Sequence, residues 1–242
     1  MNDGKGQPTH RGPEGNRRDR KKPPHHARDV FHAWMVDDAD FAGPLDMPVL
    51  APVHVDPARL VALSDIMRPG WKDFDCFGHA FEDDDVLGRF WNNPRAYLRK
   101  MGMLQGMTGL DFSVSYDFPA PLKEYNYWRN NAATYWLQKQ GLVVVPQARC
   151  EPGNCEAVLA GHPKHSTIAI GARSMVRRTG DRAVLRASVQ CIVDILEPEN
   201  ILWYGSDMYG AADYPRSKGI PVHVYPAKGR GDLNHHAPGG DW

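Results

Sequence analysis

The stretch "LVVVPQARC" (142–150) is a run of apolar residues that ends in polar ones. It shows no alternation between apolar and polar side chains, which is typical of a strand covered on both faces. Four similar runs occur elsewhere: "CFGHAF" (76–81), "STIAIGARS" (166–174), "ILWYGS" (201–206) and "IPVHVYPA" (220–227). Helix-like segments lie between most of these runs, so the pattern predicts an α/β protein with a mostly parallel sheet.

Helical periodicity predicts three helices between these runs. They cover residues 85–102, with a break or restart at Pro94, residues 120–141, and residues 181–200. In the second helix, apolar residues from Leu122 through Tyr125 to Trp136 recur at three- and four-residue steps. That spacing predicts one buried face.

About six strands are predicted, fewer than a complete eight-stranded barrel contains. We predict a barrel-like sheet or an incomplete β/α barrel, and the alternative is an open doubly wound sheet. Both arrangements bind their ligands beyond the carboxyl ends of the strands. Functional side chains are therefore expected just after the predicted strands.

The stretch "TGLDFSVSYDFPAP" (108–121) differs from its neighbours because its residues alternate. Asp111, Ser113 and Ser115 share one side, and apolar residues share the other. A strand with one wet face has this pattern, and so has a strand whose polar side lines a binding site. Since the neighbouring runs have no wet face, we expect the Asp111–Ser113 side to face a cavity or to lie at the edge of the sheet.

A candidate site follows from this stretch and from the helix after it. Asn126 and Arg129 are neighbours on that helix and are expected to reach Asp111 or Asp117. Asp111 would be an ionised anchor or a base. Ser113, Asn126 and Arg129 would orient it, or grip a phosphate or carboxylate. Other polar residues near the same edge are expected to contact a substrate: Asp117, Asn130, Arg149, Ser174, Tyr204 and Ser206.

A purely structural interpretation competes with this one. Strand ends are polar because loops are solvated, and Asp–Arg or Asn–Asn pairs also tie loops to helices. The acidic run from Glu82 to Asp85 would hold Mg²⁺ through two carboxylates, or would simply precede a helix N-terminus. No metal site is assigned, the cofactor is unknown, and no stock catalytic motif occurs.

The composition bounds the class of protein. The chain has 242 residues with 29 Lys+Arg and 29 Asp+Glu, a balance that argues against wholesale coating of nucleic acid. We predict one domain over residues 29–228, between a disordered basic tail (1–28) and a flexible C-terminal tail (229–242). The basic tail would either attract nucleic acid weakly or only improve solubility. No secretory signal and no apolar run long enough to span a membrane is present.

The four cysteines are predicted to be free thiols, because a chain of this length builds a core without a disulfide framework. They are Cys76, Cys150, Cys155 and Cys191. The turn between Cys150 and Cys155 is compatible with half of a zinc site, but the second half is missing.

Several stretches together resemble the bacterial and phage family known as domain of unknown function 4417. They include "DMPVL" (46–50), "GLDFSVSYDFPAPLKEYNYWRNNAATYWLQKQGLVVVPQAR" (109–149), "HSTIAIGARS" (165–174) and "ILWYGS" (201–206). Asp111, Asn126 and Arg129 fit the family pattern, whereas Leu110 and Asn131 stand where the family has proline and arginine. The resemblance covers roughly residues 46–226 and implies a cytosolic protein of bacteria, phages or mobile elements, without implying a reaction.

Two main hypotheses follow for function. The first is a small α/β enzyme that acts in nucleic-acid or nucleotide metabolism of a phage or mobile element. The second is a non-catalytic α/β module that docks on a host or replication protein while its basic tail touches nucleic acid. A self-associating accessory protein is a third.

Overall fold

The computed structural model describes residues 29–115, 117–172 and 179–227. The chain divides into two compact units, residues 1–34 and residues 35–242. In the described part of the first unit, the Asp29 carboxylate accepts hydrogen bonds from the N–H groups of Phe31 and Ala33. A 3₁₀-helix covers Ala33–Val36. The predicted tails, 1–28 and 229–242, lie outside the described residues.

The described residues form strands and helices that alternate along most of the second unit. The strands are β1 (Phe41–Ala42), β2 (Met47–Pro48), β3 (Leu60–Ala62), β4 (Phe77–Ala80), β5 (Gly106–Leu110), β6 (Val144–Val145), β7 (Thr167–Gly171), β8 (Asn200–Tyr204) and β9 (Val222–Tyr225). The helices are α1 (Leu63–Met67), α2 (Asp84–Asn92), α3 (Pro94–Met101), α4 (Ala120–Lys139), α5 (Cys155–Val158), α6 (Thr179–Leu196) and α7 (Asp213–Ser217). The three predicted helices are confirmed, including the interruption before Pro94.

Two parallel sheets replace the single sheet of about six strands that we predicted. One has the order β3-β4-β5-β6 and the other the order β7-β8-β9, while β1 and β2 form a separate antiparallel pair. The prediction of a mixed α/β fold with parallel strands is confirmed. A doubly wound sheet reverses its strand order, and neither parallel sheet of the described residues does so.

The run "LVVVPQARC" joins the two sheets instead of forming one long strand. Pro146 has no N–H for a ladder, so β6 ends at Val145. Just beyond it, Ala169 N–H donates to the Pro146 carbonyl at 2.9 Å, and Ala148 N–H donates to the Ala169 carbonyl at 2.8 Å. An isolated parallel bridge thus connects Gln147 with Ala169 of β7.

Strand β5 ends earlier than the alternating pattern predicted. Its last residue is Leu110, so Asp111 to Ser115 lie beyond the strand. The reason is that the backbone of Phe112 bonds to a side chain: its N–H donates to Asn130 Oδ1 at 2.9 Å, and its carbonyl accepts from Asn130 Nδ2 at 3.3 Å. An amide side chain here takes the place of a neighbouring strand.

Strands of both sheets contribute to one shared apolar cluster. Its buried members are Phe77, Phe81, Val145, Ala169, Leu202, Tyr204 and Tyr225. The rings of Phe81 and Tyr204 stack with centroids 5.1 Å apart, although they follow β4 and end β8. At the amino end of β7, Val53 and Val55 exchange hydrogen bonds with the side chains of Ser166 and Thr167. The segment before β3 therefore lies against this end of β7.

The free-thiol prediction is wrong for one pair of cysteines. Cys150 and Cys155 form a disulfide, because the turn between them brings their Cα atoms to 5.0 Å. Within the turn, Glu151 N–H donates to Asn154 Oδ1 at 2.9 Å. Cys76 and Cys191 are free, as predicted.

Candidate functional site

Asp111 is the centre of a polar network at the carboxyl ends of the strands. Its Oδ1 accepts hydrogen bonds from Gln147 Nε2 and Arg149 Nε, both at 2.9 Å, and its Oδ2 accepts one from Arg149 Nη2 at 2.8 Å. The side chains of Asp111 and Arg149 are only 9% and 17% exposed. Three N–H donors on two oxygens suit an ionised carboxylate in a bidentate ion pair.

Burial and charge act in opposite directions on the pKa values of this pair. Burial raises the pKa of the Asp111 carboxyl, and the charge and hydrogen bonds of Arg149 oppose that rise. Burial also disfavours the charged guanidinium of Arg149, but the charge and hydrogen bonds of Asp111 outweigh it, so the pKa of Arg149 is raised. The guanidinium therefore stays charged, and Asp111 fixes its orientation.

A glycine allows the network to lie against the end of β7. A Cβ atom on Gly171 would lie 2.9 Å from Asp111 Oδ2 and 2.7 Å from Phe81 Cδ1. Such contacts are too close for any larger residue unless its neighbours move. The same edge is aromatic, because the ring centroid of His79 lies 4.2 Å from that of Tyr204.

Helix α4 meets the network through its amides. Asn126 Nδ2 donates to the Ser113 carbonyl at 2.6 Å, and Asn130 holds both backbone groups of Phe112. We predicted that the buried face of this helix would begin at Leu122, but that residue is exposed and the buried residues begin at Asn126. The polar face is buried because it satisfies the backbone that follows β5.

The predicted site residues thus lie close together, with different partners from those expected. The helix contacts the chain at Phe112 and Ser113, one and two residues beyond Asp111. Asp111 itself accepts its hydrogen bonds from Gln147 and Arg149. The spacing of Gln147 and Arg149 could have indicated this shared partner, because residues two apart in an extended run point to the same side.

Ser113 and the acidic run are bonded to each other. Ser113 N–H and its hydroxyl donate to Asp84 Oδ1 at 2.9 and 3.0 Å. Glu82 accepts hydrogen bonds from the N–H and the hydroxyl of Ser64 in α1, and Asp85 pairs with Arg89. In the part of the chain that the structure describes, no group of three or more His, Cys, Asp or Glu side chains is placed to hold a metal ion.

Arg129 lies among aromatic rings. Its guanidinium carbon is 3.3 Å from the centroid of Phe112, 5.5 Å from that of Trp91 and 5.3 Å from that of Tyr125. Burial lowers the pKa of Arg129, against the raising effects of Tyr125 and the Asp84 charge. Two atoms on this face of α4, Arg129 Nε and Asn126 Oδ1, are buried without a hydrogen-bond partner among the described residues.

The other predicted contacts are scattered along the edge. Asp117 is exposed in a turn, and Tyr204 is buried in the shared apolar cluster. Ser206 Oγ accepts a hydrogen bond from Met208 N–H at 3.2 Å. Ser174 lies outside the described residues.

A separate open groove of ≈ 840 Å³ lies between α6 and α7. Arg186, Gln190, Tyr209 and Tyr214 are among its lining residues. None of the residues that line it belongs to the Asp111 network. The groove and the network are therefore two independent candidates for ligand binding.

The fold and the network together define an α/β protein with parallel strands and a buried ion pair at their carboxyl edge. The chain belongs to the family described as Domain of unknown function (DUF4417), whose sequence model matches residues 39–218. The resemblance inferred from the sequence is thereby confirmed.

One relative comes from a phage. The chain is 28% identical over 185 residues to the Gene 1 protein of Mycobacterium phage D29, a match that covers 74% of this chain and 67% of the phage protein. No solved structure matches the chain. Among the described residues, no helix is long and apolar enough to cross a membrane.

Proposed function

We propose that this protein is an α/β enzyme of a phage or mobile element that binds a nucleotide or a nucleic-acid strand at the carboxyl ends of its parallel strands. The observation that carries the proposal is the bidentate Asp111–Arg149 pair at this edge. An arginine held in one orientation presents a planar set of N–H donors, which suits a phosphate group.

The position of the pair favours function over simple stabilisation. A buried ion pair is seldom more stable than well-packed apolar residues of the same volume. Parallel α/β folds bind ligands at this edge, and the shared cluster of Phe81 and Tyr204 supports our further proposal that the two sheets curve into an incomplete barrel. In that arrangement Arg149 would lie at the rim of the strands.

The residues would have distinct roles. Asp111 orients Arg149, since its oxygens already accept three hydrogen bonds, and Arg149 grips the phosphate. The hydroxyl oxygen of Ser113, whose proton is donated to Asp84, would accept a hydrogen bond from the substrate. Asn126 and Arg129 would hold this loop and the ligand. Of the other predicted contacts, Asp117 and Ser206 would touch the substrate, whereas Asn130 and Tyr204 are buried and would support the site from behind.

The test is binding of nucleoside mono-, di- and triphosphates, measured by calorimetry on the wild type, Arg149→Lys and Asp111→Asn. Lysine keeps the charge but loses the planar fork, so we expect at least about tenfold weaker binding, equal to about 1.4 kcal/mol. The matched control is Arg216→Lys, because Arg216 pairs with Asp207 at 2.6 Å in a more exposed position. Equal affinity for the wild type and Arg149→Lys would contradict the proposal.

A second candidate function is that of a non-catalytic binding module. The groove between α6 and α7 favours it, because Met208 and Tyr209 beside α7 are 59% and 52% exposed. The same groove would serve the third hypothesis, self-association: sedimentation would then show concentration-dependent dimers in the wild type and monomers in Tyr209→Ser. Monomers at all concentrations in both proteins would rule out self-association and leave docking on another protein as the role of the groove.

The basic segment 1–28 is proposed to add weak attraction to nucleic acid in the host cytoplasm. Deletion of residues 1–28 should then abolish retention on DNA at low salt, while leaving nucleotide binding unchanged. Unchanged retention after deletion would show that the segment is inert towards DNA.

A further inference from the structure

Arg129 is a half-buried cation that has no acidic partner within ion-pair distance among the described residues. The ion pairs of the described residues do not include one for Arg129, and its Nε is buried without a hydrogen-bond partner among those residues. Buried charges in proteins are usually paired, because the cost of removing one from water amounts to several kcal/mol. Its charge is therefore under-compensated.

The aromatic rings offset only part of this cost. A guanidinium over an aromatic face gains about 0.5–2 kcal/mol. Phe112 provides the closest such face at 3.3 Å, and Tyr125 adds a side-chain hydrogen bond, which is neutral and so leaves the charge unpaired. Asp84 acts on Arg129 through its charge alone, and its Oδ1 already accepts two hydrogen bonds from Ser113. The neighbouring amides of Asn126 and Asn130 are bonded to the backbone of the loop.

We infer that Arg129 binds a phosphate group of a ligand, as an anion site distinct from Arg149. The planar guanidinium matches the oxygens of a phosphate, which carries more charge than a carboxylate and so compensates the buried cation better. The loop from Asp111 to Ser113 joins the two arginines: Asp111 bonds to Arg149, and the next residue, Phe112, lies under Arg129. A ligand with more than one phosphate would then contact both positions.

The inference rests on the proposed function, which already places Arg129 beside the ligand, but its test depends on Arg129 and so separates it from the proposed role of Arg149. Inorganic phosphate and a short oligothymidylate are titrated against the wild type, Arg129→Gln, Arg129→Lys and Arg149→Lys. The two ligands separate a free phosphate from the phosphodiester of a strand. The matched control is Arg182→Gln, because Arg182 of α6 also lies over an aromatic ring, with its guanidinium carbon 3.6 Å from the ring centroid of Tyr209.

We expect Arg129→Gln to weaken the binding of at least one of the two ligands by about tenfold or more. Arg129→Lys should fall between Arg129→Gln and the wild type, and Arg182→Gln should match the wild type. If Arg149→Lys weakens binding and Arg129→Gln does not, the inference is overturned while the proposed function stands. If only Arg129→Gln weakens binding, the inference is supported and the role of Arg149 is not.

A second measurement does not depend on the folding of any variant. Phenylglyoxal modifies arginines in the wild-type protein, and mass spectrometry follows each modified peptide. Phosphate should slow the modification of Arg129 several-fold and leave that of Arg182 unchanged. Equal rates for Arg129 with and without phosphate would overturn the inference.

Discussion

Arg149 and Arg129 are two arginines of the same region whose charges are compensated in different ways. Arg149 donates two hydrogen bonds to both oxygens of a nearly buried carboxylate. Arg129 lies over Phe112, near Trp91 and Tyr125, without a carboxylate partner. The pKa of the first is raised and that of the second is lowered, mainly because burial acts on Arg129 without a strong opposing charge.

The difference shows what each arginine contributes to the fold. Removal of Arg149 would leave Asp111 buried and uncompensated, whereas removal of Arg129 would leave no orphaned charge. The first arginine is therefore a structural necessity once Asp111 is present. The charge of the second is only partly compensated in the isolated protein, by aromatic rings and the more distant Asp84, and a bound anion would complete that compensation.

The largest expected effect is that of breaking the pair. Arg149→Met should lower the free energy of unfolding by about 3–5 kcal/mol at pH 7, because the Asp111 carboxylate loses its partner in a buried position. Urea denaturation measures this loss. The double variant Arg149→Met/Asp111→Leu should recover most of it, and a double variant as unstable as the single one would show that the pair is not the cause.

The loss of stability in Arg149→Met should depend on pH. Without Arg149, burial and the charge of Asp84 both raise the pKa of Asp111 with no cation to oppose them, so its folded-state pKa lies further above the unfolded value of about 3.9. A carboxyl with a raised folded-state pKa favours the folded state while it is protonated, and this contribution is lost as the pH rises. The gap in stability between the wild type and Arg149→Met should therefore narrow from pH 7 towards pH 4. A gap that widens on acidification would contradict this sign.

A smaller effect is expected from crowding the pair. Gly171→Ala places a Cβ atom against Asp111 Oδ2 and Phe81, so it should cost about 1–3 kcal/mol of stability. Gly88→Ala in α2 is the matched control, because a Cβ atom there meets nothing within 4 Å. Alanine favours a helix over glycine, so the control should be neutral or more stable by up to about 1 kcal/mol. Thermal unfolding compares the two.

The smallest effect should come from the unpaired arginine. Arg129→Met removes the ring contacts without orphaning a carboxylate, so it should cost no more than about 2 kcal/mol. The measurement is again urea denaturation at pH 7. A loss of stability as large as that of Arg149→Met would mean that Arg129 is compensated as strongly as Arg149, which would contradict the difference between the two arginines.

Local patterns in the sequence predicted the order of the main elements. Helix α4, the break before Pro94 and the apolar strands β7 and β8 all follow from periodicity and from proline positions. Short elements were missed, among them β3 and α1 over Leu60–Met67. Elements of three and five residues are too short for a periodic signal, and tertiary contacts decide them.

The position of the candidate site was predicted from the sequence, but the hydrogen-bond partners of its residues were not. The sequence pointed to Asp111, Asn126 and Arg129, and all three lie around the loop after β5. It assigned helix partners to Asp111 because residues three and four apart on a helix are easily recognised. The pairing with Arg149 depends on how β5 and β6 lie side by side, which no local pattern records. The disulfide was missed for a different reason: a turn can place two cysteines at many distances, so their spacing in the sequence does not decide whether they bond.

The most direct test is to locate a bound oxyanion in crystals of the wild-type protein. Crystals are soaked in tungstate, a heavy-atom analogue of phosphate, and the tungsten is found by its anomalous scattering. The account predicts a tungsten peak beside the guanidinium of Arg149, with the further inference adding one beside Arg129. Tungstate found solely in the groove between α6 and α7, or on surface lysines, would contradict it.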